Sequence, residues 1–189
     1  RNTAIGHAAL AASNTTSNVD TYNTAVGCLA GLSVTTGVNN TLIGGLAGDA
    51  ITTACNNTAV GVNALDTNTT GSKNTAVGKN ALDANTTGTS NVAVGALASD
   101  AMTTASFNVA LGTSALSTET KGNRNTAIGH AALAASNTTS NADTYNTAVG
   151  CLAGFAVTTG VNNTLIGGLA GDALTTAYSN VGVGYLALS

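Results

Sequence analysis

The 189-residue sequence is short of the residues that build an ordinary globular core. It has no Pro and no Trp, aromatic residues make up 3% of it, and charged residues make up 7%. Burial of apolar surface stabilises a fold by about 25 cal/mol per Å², so small side chains contribute little each. A single thick hydrophobic core is therefore excluded. We expect stability to come from many repeated small contacts and from backbone hydrogen bonds.

Charge and long apolar runs are also scarce. The net charge is −3, and the five basic residues are scattered rather than clustered, which argues against a nucleic-acid partner. No run of 18 apolar residues occurs, so no membrane span is predicted in this segment. No signal peptide is recognisable, and the sequence begins without Met inside a pattern that is already running. We therefore expect an excerpt of a longer polypeptide.

The residues of common catalytic and cofactor sites are missing as motifs. Cys28, Cys55 and Cys151 lack metal-ligand spacing, and we expect them to be small, buried or half-buried residues, with interchain disulfides left open. There is no GxGxxG, no P-loop and no nucleophile paired with a base. A regular stack also lacks the concave site that chemistry needs. The sequence predicts a protein without enzymatic activity, cofactor or metal.

What the sequence has in abundance is one repeated unit. Eleven copies of Asn-x-x-aliphatic-Gly divide residues 1–189 into a single array, and eight of the ten spacings are 17 residues. The other two spacings are 21 residues, because units 1 and 8 carry the inserts VDTY (19–22) and ADTY (142–145). The units begin at Asn2, Asn23, Asn40, Asn57, Asn74, Asn91, Asn108, Asn125, Asn146, Asn163 and Asn180.

A longer period lies above the short one. Residues 2–50 recur at 125–173, shifted by 123 positions, with three differences. This similarity indicates duplication of a seven-unit block. The differences are Val19 against Ala142, Leu32 against Phe155, and Ser33 against Ala156.

The columns of the repeat define its structural residues. Every unit has the leading Asn, a Gly four residues later and an Ala seven residues later, and Val, Ile or Leu precedes the Gly. In the first four units these positions are Asn2, Gly6, Ala9, Asn23, Gly27, Ala30, Asn40, Gly44, Ala47, Asn57, Gly61 and Ala64.

The NTAVG segment alternates small and aliphatic residues, as a strand with two different faces does. A Gly within such a strand often marks the close approach of another backbone. The rest of the unit is rich in turn formers, and a short helical turn around its Ala-Leu pair stays open. Seventeen residues suffice for one narrow coil. The predicted fold is all-β, a parallel β-roll or β-solenoid of eleven coils about 4.8 Å apart, spanning roughly 50 Å, with side-chain ladders of Asn.

The alternation also leads to an expectation about assembly. A coil this small encloses about three modest apolar side chains, so we expect the flat column of Ala and Gly to be exposed on a single chain. Pairing that column with other copies would bury it. The hypothesis is a homotrimer in which three thin coils share an axis.

The units NTAVG, NTAIG and NVAVG resemble the head repeats of trimeric autotransporter adhesins, and they resemble the NTAxG repeats of phage tail fibres and bacterial surface fibres. The resemblance covers the whole chain and depends on eleven repetitions of a short motif. It implies a homotrimeric parallel β-roll on a cell or virion surface, serving as a rigid stalk or head. A cell-surface receptor or glycan would then be the partner.

Three sets of residues remain as candidate sites. His7 and His130 share a variable column without a ligand partner at metal spacing, so we expect them to be inert. Tyr22 and Tyr145 lie in the two inserts, the only regular protrusions, and are the candidate contact surface. Five Asp share the column nine residues after the Asn, where they cap turns or, alternatively, bind a cation. Those residues are Asp49, Asp66, Asp83, Asp100 and Asp172.

Paired Thr residues in nearly every unit supply the alternative function. Solvent-facing Thr is compatible with strand structure and needs no further role. A flat ladder of Thr and Asn could instead order water or bind ice. The alternative to a fibre segment is therefore an ice- or surface-binding β-solenoid.

Overall fold

The computed structural model describes residues 1–14 and 20–189, so the insert residue Val19 lies outside the described part of the chain. All regular structure in these ranges is β, and no helix long and apolar enough to cross a membrane occurs in them. The eleven strands are β1 Thr3–Ile5, β2 Thr24–Val26, β3 Thr41–Ile43, β4 Thr58–Val60, β5 Thr75–Val77, β6 Val92–Val94, β7 Val109–Leu111, β8 Thr126–Ile128, β9 Thr147–Val149, β10 Thr164–Ile166 and β11 Val181–Val183.

The strands form one parallel sheet in which chain order and spatial order coincide. Each strand pairs with the equivalent residues of the next unit, as Ala59 does with Ala76 and Val60 with Val77. The 21-residue units keep the same register, since Thr126 pairs with Thr147. Each unit is therefore one turn of a β-solenoid, which confirms the predicted fold class, and the inserts are accommodated outside the ladder.

The Gly that follows each strand is required by the spacing of adjacent coils. Gly78 has φ +135°, and a Cβ on it would lie 2.5 Å from the carbonyl oxygen of Gly95 in the next coil. Only Gly adopts this backbone region readily and tolerates such an approach. The predicted close backbone approach is confirmed.

The segment after the Gly turns without forming a helix. In unit 5, Ala81 N donates to Gly78 O and Asn85 N donates to Leu82 O, which closes two successive turns. Asn80 and Leu82 are left-handed, with φ 57° and 53°. A left-handed residue costs roughly 1–2 kcal/mol unless it is Gly. The column of Leu82 holds Leu in six units, Gly in four and Ser in one, and burial of the side chain offsets the strain at Leu82. The open expectation of a helical turn is therefore wrong.

The interior of the solenoid is built from the small face of each strand. Ala76, at the centre of β5, is fully buried, and so are Ala81 and Leu82 across the coil. The aliphatic residue that follows, Val77 in this unit, points outward and is half-buried. The expected exposed Ala column is thus wrong, because the interior of the narrow coil is filled mainly by the small side chains at the centre of each strand.

Two units show how the interior admits a larger side chain. Leu42 and Leu165 replace the strand Ala and are fully buried. Gly48 faces Leu42, and a Cβ on this Gly would lie 2.8 Å from a Leu42 methyl carbon. A larger side chain at the centre of the strand is therefore matched by Gly at the facing position, as the dense packing of protein interiors requires.

The leading Asn residues form a buried ladder along the stack. Asn40 Nδ2 donates to Ala54 O at 2.9 Å, and Asn40 Oδ1 accepts from Asn57 N at 3.0 Å. Asn57 repeats the pattern on the next coil, with its Nδ2 donating to Gly71 O at 3.0 Å. The predicted Asn ladder is confirmed, and it ties each coil to its neighbour through side chain and backbone together.

Candidate functional surfaces

An aliphatic stripe, exposed or half-buried, runs along the outer face of the sheet with one residue per coil. Ile43, Leu111 and Ile166 expose 38%, 45% and 40% of their surface, although each has a paired strand on both sides. Monomeric proteins seldom expose a long contiguous apolar surface without a function for it. The stripe consists of Ile5, Val26, Ile43, Val60, Val77, Val94, Leu111, Ile128, Val149, Ile166 and Val183.

The Thr pairs divide into two rows with different environments. In the first row the hydroxyl is used within the fold, since Thr35 Oγ1 donates to Thr52 O at 3.1 Å and Thr52 Oγ1 to Thr69 O at 3.2 Å. The second row, which includes Thr36 and Thr53, is exposed. From Asn23 to Asn163 the leading Asn residues are buried and, except at Asn125 Nδ2, hydrogen-bonded along the stack. Of the two ladders in the ice-binding alternative, the Thr ladder is therefore the one that reaches solvent along the array.

The Asp column lies half-buried on one side of the stack. Burial, together with hydrogen bonding and charge repulsion from Asp49, raises the pKa of Asp66 to about 7. Burial also raises the pKa of Asp83. The hydrogen bond that Asn80 Nδ2 donates to Asp83 at 2.8 Å lowers this pKa and partly offsets the rise. Within residues 1–14 and 20–189 no group of three His, Cys, Asp or Glu side chains is placed to hold a metal ion.

The two insert tyrosines are equivalent surface features. Tyr145 is 52% exposed, and its hydroxyl donates to Asp143 Oδ2 at 3.1 Å. Arg124 forms an ion pair with Asp143 at 3.0 Å and lies over the rings of Phe107 and Tyr145, at 4.9 and 5.8 Å from their centroids. Arg stacking of this kind stabilises neighbouring coils and also presents aromatic edges to solvent.

Tyr22 repeats this arrangement in unit 1. Its hydroxyl donates to Asp20 at 3.1 Å, which raises the pKa of Tyr22, and Asp20 pairs with Arg1 at 3.3 Å. The contact role of Tyr22 and Tyr145 stays a prediction. The sequence signal for the Arg partner was available, since an Arg stands immediately before the leading Asn of both long units.

The column five residues after the Asn brings together a His and a Cys. His130 Nδ1 lies 3.9 Å from Cys151 Sγ across adjacent coils, and both side chains are exposed. Cys28 is exposed as well, so the expectation of buried or half-buried cysteines holds only for Cys55. The expectation that His130 lacks a Cys partner is wrong, because the solenoid makes residues 21 apart neighbours.

A shallow notch of about 390 Å³ opens beside this pair. It is lined by Ser117, Ala134 and Phe155, the residues nine positions after the leading Asn in units 7 to 9. Phe155 closes one side of the notch. Its apolar lining offers no convergent polar groups beyond His130, Ser114, Ser117 and Thr118.

One buried carboxylate lies inside the solenoid and has no counterpart in the sequence-based predictions. Glu119 is fully buried, and its oxygens accept from the Ser136 hydroxyl at 2.7 Å, the Thr138 hydroxyl at 2.8 Å and Gly122 N at 2.8 Å. These donors belong to its own turn and to the following 21-residue unit. Glu119 therefore joins a short coil to a long one rather than forming a reactive site, since each donor is already used.

Comparisons with protein-family models, with curated proteins and with solved structures find no match to this chain.

Proposed function

We propose that this chain is a non-enzymatic structural segment of an extracellular fibre, in which three copies associate side by side through the aliphatic stripe. The observation that carries the proposal is that this outward aliphatic residue is exposed or half-buried in each of the eleven coils. A solenoid with a polar outer surface would need no partner. The stripe instead gives each copy one continuous apolar surface, to which every coil contributes one residue.

Parallel copies in register would place like residues together along the fibre. Each Val or Ile would then contact its equivalents at the same level, and apolar burial would contribute about 25 cal/mol per Å². Homo-oligomers with closed symmetry commonly repeat one contact in this way. The resemblance to adhesin heads and tail fibres, drawn from the repeats, favours three copies around a shared axis.

The mechanism of such a segment is reach and rigidity. Eleven coils at the spacing of β-strands extend roughly 50 Å. Stability is spread over nearest-neighbour contacts, chiefly the Asn ladder and the Ala interior. We place the segment on a cell or virion surface, with Tyr22 and Tyr145 as its candidate contacts to a receptor or glycan.

Sedimentation analysis of matched lysine variants tests this proposal. The wild-type chain should sediment as three copies of 18.2 kDa, and Val60→Lys with Val77→Lys should sediment as one copy with an unchanged β spectrum. The control is Thr53→Lys with Thr70→Lys, two exposed residues of the second Thr row, which should keep the assembly. A folded wild type of one-chain mass at micromolar concentration would overturn the trimer.

Ice binding remains a second candidate because Thr and aliphatic side chains alternate on the outer face of the same flat sheet. In β4 and β5, Thr58 and Thr75 stand beside Val60 and Val77 in register. This spacing repeats at about 4.8 Å, as a template for ordered water would. Inhibition of ice recrystallisation by the wild-type chain that is lost in Val60→Lys with Val77→Lys would favour it, and ordinary ice growth with the wild-type chain would remove it.

A further inference from the structure

The strongest unassigned feature is the contact between His130 and Cys151. Tetrahedral Zn²⁺ binds Cys sulfur at about 2.3 Å and His nitrogen at about 2.0–2.1 Å, which places the two ligand atoms about 3.6 Å apart. The observed separation of Nδ1 and Sγ is 3.9 Å. An ion could therefore bridge the two atoms after a small side-chain movement, and both side chains are exposed to receive it.

The same two residue types recur in the other long unit. His7 and Cys28 occupy the fifth position after the leading Asn in units 1 and 2, as His130 and Cys151 do in units 8 and 9. The first strands of these units pair in the same register as β8 and β9. The register thus brings the backbone positions of His7 and Cys28 to adjacent coils, seven coils away from the pair in contact and roughly 34 Å from it at the strand spacing.

We propose that each His–Cys pair is part of a Zn²⁺ site that neighbouring copies of this chain complete. A tetrahedral zinc site needs more than two protein ligands to be closed. The described residues of one chain supply no third His, Cys, Asp or Glu to either pair. Soft thiolate with imidazole selects Zn²⁺ over Ca²⁺ or Mg²⁺, which prefer oxygen.

The position of the pairs fits completion by a neighbouring copy. Their column lies two residues beyond the aliphatic stripe, just past the Gly corner of each coil. Copies packed in parallel along the stripe bring the equivalent His and Cys to the same height, so this inference depends on the proposed assembly. Zinc would then hold the register of the copies at two levels of the fibre.

The binding step is a proton exchange without redox chemistry. Zn²⁺ accepts a lone pair from the imidazole Nδ1 and another from the Cys sulfur, and the thiol proton leaves to solvent. Affinity should therefore fall as the pH is lowered. Ligands of a neighbouring copy replace the remaining water on the ion.

Cobalt(II) substitution of the reduced full chain tests the site, because Co²⁺ reports thiolate ligation in its absorption spectrum. We expect a thiolate charge-transfer band and intense visible bands of tetrahedral Co²⁺, displaced by Zn²⁺, with fewer than two ions bound per chain. Cys28→Ser with Cys151→Ser should abolish these bands, whereas the control Cys55→Ser should retain them. Absence of the thiolate band would overturn the proposal, as would two ions bound to each monomeric chain.

Measuring mass in EDTA and in Co²⁺ separates this inference from the proposed function. An assembly that persists in EDTA but shows no thiolate band contradicts the metal site alone. A monomer in EDTA that assembles with Co²⁺ and shows the band supports the site and contradicts assembly by the stripe alone. A monomer without the band under both conditions contradicts both.

Discussion

Leu42 and Ile43 are adjacent residues of one strand and nearly equal in size, but their surroundings differ completely. Leu42 is fully buried inside the solenoid, and Ile43 exposes 38% of its surface on the outer face. Apart from Leu165 and Gly182, the inward position of the other units is Ala, and the outward position is aliphatic in every unit. The comparison teaches that hydrophobicity alone does not decide which face of the strand lies inside the coil. The volume available inside the coil decides it.

The first test has the largest expected effect and removes one residue of the buried Asn ladder, close to these two residues in the sequence. Asn40→Ala leaves Asn57 N without its acceptor and Ala54 O without its donor, and each buried orphan costs about 1–3 kcal/mol. We expect the free energy of unfolding in urea to fall by about 2–6 kcal/mol. The neighbour Asn39→Gly is the control, since Asn39 is exposed and left-handed. Equal effects of the two variants would contradict a buried ladder.

The second test breaks the comparison directly. Leu42→Ala empties a packed interior and should cost about 2–5 kcal/mol. Ile43→Ala should cost less than about 1 kcal/mol in the separate chain, because its side chain is already partly in water. If the stripe pairs copies, the cost of Ile43→Ala will depend on protein concentration and that of Leu42→Ala will not. Urea unfolding at two concentrations measures both.

The smallest expected effect belongs to the Asp column. The pKa of Asp66 is about 7 in the fold against an ordinary value of 3.8, so the folded chain binds this proton more tightly than the unfolded chain. The stabilisation of the fold that this proton contributes is complete below about pH 4 and is lost as the pH rises through 7. After allowance for its solvent exposure, we expect Asp66→Asn to gain less than about 1 kcal/mol at pH 8.

Thermal unfolding between pH 4 and pH 8 measures this effect. The wild-type Tm should decline towards pH 8, and Asp66→Asn should flatten the decline without abolishing it, since burial also raises the pKa values of Asp83 and Asp100. The control Thr70→Ala leaves the Asp66 carboxyl in place, so its Tm should decline towards pH 8 as that of the wild type does. Parallel curves for wild type and Asp66→Asn would show that this proton is not linked to folding.

Much of the fold could be predicted from local rules. The 17-residue period, the strand after each Asn, the Gly at the corner and the Asn ladder follow from spacing and backbone chemistry. Alternation separates the two faces of a strand but does not say which is inside. The sequence does contain a signal for which face lies inside. Leu42 and Leu165 each occur in a unit that has Gly at the facing position, Gly48 and Gly171.

The surface features were harder to predict because they depend on neighbours between coils. His130 and Cys151 are 21 residues apart, and only the register of β8 and β9 makes them adjacent. The buried Glu119 depends on neighbours in the same way, because two of its donors, Ser136 and Thr138, belong to the next unit. Motif spacing along the chain does not reveal such pairs, whereas spacing corrected for the repeat length does.

The central claim is that the aliphatic stripe is the contact between parallel copies, and cysteine crosslinking measures it most directly. In a chain with Cys28, Cys55 and Cys151 changed to Ser, Val77→Cys places a thiol on the stripe, and Thr70→Cys places one on the exposed Thr row. Mild oxidation should convert the first variant rapidly to covalent dimers and leave the second largely monomeric. Equal crosslinking of both variants, or none at Val77→Cys in a folded chain, would contradict the account.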